Sequence, residues 1–128
     1  MATLLRGARM GDILPPSFVD FGRLRRLDAT AFVLPGASPI DAYRSNLDAA
    51  AATFAAWDGR VKVLEPDDRP MHRVVIVDRY GQVYETTDAD DPRALPDARA
   101  IEEWFRFLAT SCPECGVLDD PRERDWTP

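Results

Sequence analysis

Both cysteines of the chain, Cys112 and Cys115, lie in one short stretch, ATSCPECGVLDD, from Ala109 to Asp120. A CxxC pair serves disulfide exchange or provides half of a zinc site. Exchange requires a thiolate, and a helix N-terminus is the usual device that favours one. This pair follows a helical pattern rather than opening one, so the partial negative charge of a helix C-terminus works against ionisation. Glu114 between the thiols and Asp119 and Asp120 beyond them push the same way. Cys112 falls four residues after Leu108 and continues the apolar stripe of that helix, and Pro113 suits the turn that ends it. Four readings stay open: buried cysteines that terminate a helix, a reversible or structural disulfide, a shared zinc site, and a catalytic dithiol. Zinc takes four ligands, commonly thiolate or imidazole. One CxxC supplies two, so zinc would need a symmetric dimer contributing Cys112 and Cys115 from each subunit. No cofactor is expected, and no metal apart from that bridging zinc.

His72 is the single histidine. As a general base it needs a nucleophile within reach, and Ser38 with Asp67 or Asp68 would complete a Ser–His–Asp set. Ser38 is also accounted for as a helix N-cap, and no oxyanion-hole signature accompanies it. The acidic runs DADD and LDD lack the ligand spacing and the glycine of a calcium loop. Arg23, Arg25 and Arg26, in GRLRRLD, alternate with leucines and read as the solvated face of a short element rather than an anion site.

The elements that must position these groups follow from periodicity. Residues 11–27, GDILPPSFVDFGRLRRL, hold short apolar pieces broken by prolines and predict a loop leading to a small hairpin. ATAFVL, Ala29 to Leu34, is a compact apolar run that predicts a strand buried on both faces. A helix is expected next, with Ser38 as N-cap, Pro39 at its first position and Asp41 in a weak capping box. Ile40, Tyr43, Leu47, Ala50, Ala51, Phe54 and Trp57 give it one apolar stripe, and Asp58-Gly59 should end it. A short strand is expected at Val61 to Leu64. After the loop EPDDRP, HRVVIVDRYGQVYETT predicts two strands joined by Asp78-Arg79-Tyr80-Gly81. The last helix should be capped by Asp97, with Ile101, Trp104, Phe105 and Leu108 on its buried stripe. Phe107 lies off that stripe and is a candidate for a subunit contact.

This order of strand, helix, strand, strand, strand, helix predicts an α/β fold: a mixed four-stranded sheet with flanking helices, its first two strands parallel. The 128 residues suit a single domain. A net charge of −6, with Lys62 the only lysine, argues against nucleic-acid binding, since phosphate affinity needs surplus positive charge. No apolar run approaches the ~20 residues of a bilayer span. Nothing at the N-terminus reads as a secretory signal, so no membrane association and a cytoplasmic location are the expectation.

VVIVDRYGQVYE followed by AIEEWFRFL resembles the C-terminal half of the thioredoxin fold, and in particular the redoxins related to peroxiredoxins. GDILPPSFVDFGRLRRL is similar to the redoxin N-terminal segment, and EWFRFLATSCPECG to the tail of some bacterial redoxin-like proteins. The resemblance covers roughly residues 11–116. It implies a thioredoxin-like fold with an N-terminal segment at 1–28, a core at 29–116 and an acidic tail at 117–128. It also implies an active site at the sheet end, near Ser38 and His72, which become candidate substrate-binding residues. Three departures stand against the family's chemistry. The place of the attacking cysteine reads LPGASPIDAY, with Ser38 and no cysteine. The family's cis-proline has no clear match, Pro70 being close but His72 nearer the expected offset. The helix between the second and third core strands is replaced by EPDDRP. Peroxiredoxin- or thioredoxin-type catalysis is therefore not expected. What is implied is an accessory thiol/disulfide role for Cys112 and Cys115, a non-catalytic module that binds a protein partner or forms a homodimer, or a zinc-bridged homodimer.

Overall fold

The computed structural model describes residues 2–15 and 29–110. Four strands form one mixed sheet: β1 (Ala29–Leu34), β2 (Gly59–Val63), β3 (His72–Val77) and β4 (Val83–Ala89). Their order is β2-β1-β3-β4. β1 runs parallel to β2, with Ala29 opposite Gly59 and Val33 opposite Val63. β3 is antiparallel to both β1 and β4. The helices are α1 (Ala2–Arg6), α2 (Asp41–Ala49), α3 (Ala51–Ala56) and α4 (Ala98–Thr110), with a 3-10 turn at Pro92–Ala94. The α/β class and the mixed four-stranded sheet with flanking helices are as the sequence predicts. Among the described residues no helix is long and apolar enough to cross a membrane.

Every residue of β1 and of β3 is buried, as their unbroken apolar runs require of strands covered on both sides. Alternate side chains separate onto the two faces. Ala29, Ala31, Val33, Val74 and Ile76 pack with Tyr43 and Leu47 of α2, Phe54 of α3, and Ile101 and Phe105 of α4. Phe32, Leu34, Val75, Val77 and Val83 pack on the other face with Leu5, Ala8 and Leu14. The β3–β4 turn forms at Asp78–Gly81 as expected. The Asp78 carboxylate accepts the amides of Tyr80 (2.9 Å) and Gln82 (2.8 Å), and Gly81 takes a φ of 85° that glycine adopts without steric cost.

Several local expectations are corrected. The first long helix begins at Asp41, not Pro39, and the residue before it, Ile40, makes no side-chain cap. Ser38 is engaged elsewhere, as described below. The helix is also divided, because Ala50 closes a tighter turn by donating to the Leu47 carbonyl at 3.1 Å. That turn sets Phe54 edge-on to Phe105, ring centroids 5.3 Å apart. The left-handed residue at its end is Asp58 (φ 56°), not Gly59. Gly59 instead opens β2, two residues before the expected start. A Cβ there would lie 2.4 Å from the Phe105 ring, so the glycine is required by helix–sheet contact rather than by a cap. By contrast Asp97 behaves as predicted and accepts the Ala100 amide at 2.9 Å.

The N-terminal region holds a helix that periodicity did not reveal. Five residues are too few for a stable isolated helix. α1 is held by Leu5, fully buried, and by the Arg73 guanidinium, which donates to the carbonyls of Leu5 (3.0 Å), Arg6 and Ala8 (2.6 Å). Residues 11–14 then lie against the turn and the start of β4. Gly11 donates to the Val83 carbonyl (2.7 Å) and Leu14 to that of Gly81 (2.8 Å). The remainder of the expected N-terminal hairpin lies outside the described residues, as do Arg23, Arg25, Arg26, Cys112, Cys115 and the acidic tail.

Candidate functional site

β1 and β3 are antiparallel neighbours, so the chain leaving β1 at Leu34 meets the chain entering β3 at His72. Gly36 lies where the two loops touch. A Cβ on it would stand 2.4 Å from the Arg69 carbonyl oxygen and 2.8 Å from that of Met71, so the contact admits glycine alone. Backbone bonds hold the loops together: Ala37 donates to Arg69 (2.8 Å) and Asp67 to Pro35 (3.2 Å).

His72, fully buried, sits beneath this contact. The Gly36 amide donates to its Nδ1 at 2.7 Å, and Ser38 Oγ lies 2.9 Å from its Nε2. An amide can only donate, so Nδ1 presents its lone pair. A neutral imidazole has one ring proton, which must then sit on Nε2. The bond to Ser38 therefore runs from imidazole to hydroxyl. A base that activates Ser38 needs the lone pair at that same nitrogen. The structure thus brings together the pair singled out in the sequence, but with the proton on the wrong side for nucleophile activation.

Neither aspartate completes a triad. Nδ1, where an orienting carboxylate would bind, is taken by Gly36. Asp67 pairs with Arg6 at 2.9 Å and accepts the Arg69 amide at 2.9 Å, while Asp68 is exposed. Arg6 reaches this loop contact from α1, its side chain only 9% exposed, and donates to the carbonyls of Met71 (3.1 Å) and Pro35 (3.0 Å). The end of the sheet is thereby tied shut by Gly36–His72, His72–Ser38, Arg6–Asp67 and the paired loop backbones. Among the described residues no peptide bond is cis, and no group of three or more His, Cys, Asp or Glu could hold a metal.

Tyr43, Asp91 and Arg93, whose ionisation is shifted, lie outside this cluster. The Tyr43 hydroxyl donates to the Pro96 carbonyl at 2.7 Å. Burial, and then the negative charge of Asp97, push its ionisation far above the usual phenol range, which leaves it unable to serve as an acid near neutrality. The Asp91 carboxyl is held below the ordinary carboxylate range, first by the Arg93 side chain and then by the Arg93 amide.

A second constellation lies on α4 and β4. Tyr84, Trp104 and Phe107 form a mutual edge-to-face cluster, with ring centroids 5.9 to 6.4 Å apart. With Met10, Ala100 and Glu103 they line a groove of about 480 Å³. Phe107 is 54% and Met10 63% exposed. Phe107, off the buried stripe in the sequence, is thus at the surface, whereas Phe105 is fully buried. The spacing within α4 was enough to single out Phe107. Met10 and Tyr84 join it through tertiary contacts that no local pattern records, as do Arg6 and Arg73 at the other face.

No protein-family model matches the chain, and a search of curated proteins finds no match.

Proposed function

We propose that the chain is a thioredoxin-like, redoxin-related domain that works as a non-catalytic protein-binding or dimerisation module. One observation carries this reading: the Gly36 amide occupies His72 Nδ1, so the imidazole donates to Ser38 and cannot take its proton. Where the family keeps its attacking thiol, this chain has a hydroxyl that serves as an acceptor in a structural bond. The strand order β2-β1-β3-β4, with one parallel pair and a closing helix, supports the thioredoxin-like fold. The exposed aromatic groove on α4 and β4 supports binding as the remaining role, since a contiguous apolar surface of this kind is the usual mark of an interaction site. A cytoplasmic location belongs to the same proposal.

Any thiol chemistry then falls to Cys112 and Cys115, either as an accessory dithiol or as ligands of a dimer-bridging zinc. The deciding experiment measures insulin-disulfide reduction and peroxide consumption for the wild type and for Ser38→Ala, His72→Asn and Cys112→Ser. The module reading expects background rates throughout. Turnover above background that Cys112→Ser abolishes would replace it with the dithiol reading, and turnover that Ser38→Ala abolishes would overturn the structural assignment of the Ser38–His72 bond. Thiol counting with and without reductant, together with elemental analysis for zinc, distinguishes free, oxidised and metal-bound cysteines.

A further inference from the structure

We infer that the contact between loops 35–38 and 65–71 is an acid-released latch: a proton on His72 Nδ1 expels the Gly36 amide and opens this end of the sheet. Such regulation acts on the site described above, and it rests on a premise of the module reading, an unprotonated Nδ1. The closed form needs that nitrogen's lone pair, since the Gly36 amide donates to it at 2.7 Å. In an imidazolium both ring nitrogens are donors, so two N–H groups would face each other across that distance. Turning the ring over brings no relief, because a ring carbon then stands opposite the amide. Ser38 can go on accepting from Nε2 at 2.9 Å, so the loss falls wholly on Gly36. That residue has no room to turn aside while the loops stay together. It packs so closely on the Arg69 and Met71 carbonyls that not even a Cβ fits.

The surroundings offer a charged ring no counter-ion. His72 is fully buried, and its alternation with Val74 and Ile76 puts it on the face covered by α2 and α4. Those helices meet the sheet through Tyr43, Leu47, Ile101 and Phe105. Tyr43 is the one titratable group among them, and its hydroxyl is committed to Pro96. Asp41 and Arg44 of α2 and Arg99 and Glu103 of α4 are exposed. Arg6, from α1, is engaged by Pro35, Met71 and Asp67, while Glu65, Asp68 and Arg69 of the second loop are exposed. Arg73, next on β3, points to the opposite face, where α1 and Asp88 hold it. Beyond β4, the Asp91 carboxyl is lowered chiefly by Arg93 and least by charge on His72, so its field reaches the ring, but its ion pair is with Arg93 at 3.0 Å. Among the described residues the ring's hydrogen bonds are to Gly36 and Ser38, and neither supplies a carboxylate. A buried charge without a partner is costly, and opening the loops gives it to water. The closed form therefore binds one proton fewer than the open form, and linkage makes opening grow as pH falls, by at most about tenfold per pH unit. His72 is the single histidine, and an imidazole ordinarily changes charge between about pH 5 and 8, so a response in that range reports on it.

Amide hydrogen exchange on the full chain tests the latch, each rate being divided by that of an unstructured amide at the same pH. Protection at Gly36, Ala37 and Asp67 should fall by at least about tenfold between about pH 7 and pH 5, while amides in the middle of β1 and β3 keep theirs. His72→Asn offers Gly36 a carbonyl oxygen near the place of Nδ1 and cannot take up a proton in this range, so its profile should be flat. Imidazole nitrogen shifts of the wild type supply a second readout that needs no variant: protonation of Nδ1 and loss of Gly36 protection should share one midpoint. Wild-type protection that ignores pH overturns the latch, as does an equal fall in His72→Asn or a pair of separate midpoints. Core amides that lose protection in step with Gly36 also overturn it, since the acid response is then unfolding of the whole domain. The module reading is tested by turnover and by the tautomer at neutral pH. A flat exchange profile with the proton on Nε2 at neutral pH therefore defeats the latch alone.

Discussion

Replacing His72 with phenylalanine isolates what the imidazole nitrogens do, because the flat ring is kept and both polar contacts are lost. The Gly36 amide would be left buried without an acceptor in place of its 2.7 Å bond to Nδ1, at a cost of about 1–3 kcal/mol. Ser38 loses the 2.9 Å bond from Nε2, but its part-buried hydroxyl can rehydrate, so that loss is about 0.5–1.5 kcal/mol. The total of about 2–4 kcal/mol is a large fraction of the stability of about 5–15 kcal/mol usual for a small domain. In urea it would move the unfolding midpoint down by roughly 1–2 M at an m-value near 2 kcal/mol/M. Ser38→Ala removes only the second bond but leaves the buried Nε2–H without its acceptor, and should cost about 1–2 kcal/mol. The order His72→Phe worse than Ser38→Ala follows from the Gly36 bond being the more buried of the two. Ser38→Ala matching or exceeding His72→Phe would refute it. The proton position can be read directly from the imidazole nitrogen shifts. A proton on Nε2, with Nδ1 showing coupling through its hydrogen bond to Gly36, is the expected pattern, whereas a proton on Nδ1 would return the lone pair to Ser38 and reopen nucleophile activation.

Gly36→Ala should destabilise as strongly as the loss of His72, since its Cβ meets backbone oxygens that cannot swing aside, and urea unfolding measures it. Arg73→Met should release α1, because three carbonyls lose a charged donor worth about 1.5–3 kcal/mol for a typical bond to an ionised group; faster amide exchange across residues 2–8 is the readout. The Asp91 carboxyl, lowered in the folded state by Arg93, contributes stability above the unfolded value of about 3.9, and this is lost as pH falls through the lower folded value. A carbon-detected titration should find Asp91 below its ordinary value in the wild type and closer to it in Arg93→Ala, where only the bond from the residue 93 amide remains. Tyr43 has the opposite sign: its raised ionisation leaves its contribution intact below about pH 10, and that contribution is lost as pH rises towards the folded value. Tyr43→Phe should therefore flatten the alkaline limb of the stability–pH curve while removing the bond to Pro96.

The elements that local chemistry specifies were legible in the sequence. β1 and the β3–β4 hairpin could be read because an unbroken apolar run and an Asp-to-Gly turn each act over a few residues. α4 could be read because Asp97 caps it and its stripe repeats at helical spacing. The errors cluster where a distant residue outbids a local preference. Ser38 is a good N-cap by type, but the buried imidazole of His72, 34 positions away, claims its oxygen, and the helix starts later. Gly59 is a good helix terminator by type, but the Phe105 ring requires a residue without Cβ at the start of β2, so the left-handed turn falls to Asp58. α1 has almost no local signal, because what holds it is Arg73 on β3. The candidate site followed the same rule. The resemblance implied that Ser38 and His72 share one end of the sheet, whereas the direction of the bond between them depends on the Gly36 amide, which no side-chain pattern encodes.

That amide ties the direction of the His72–Ser38 bond to the packing of the sheet end. Gly36 can donate to Nδ1 only because it has no Cβ, which would otherwise collide with the Arg69 and Met71 carbonyls and hold the two loops apart. Once the loops close, the imidazole is fixed in one tautomer, Ser38 is committed as its acceptor, and Arg6 with Asp67 seals the outer side. Each contact that stabilises the sheet end also removes a group that catalysis would need free: the lone pair at Nε2, the hydroxyl proton's acceptor, and the carboxylate that might orient the ring. A substitution that restored the lone pair would have to break the Gly36 bond and separate the loops. Activation of Ser38 by His72 and closure of these two loops are therefore mutually exclusive in this structure, and it is on this exclusion that the proposed module reading rests.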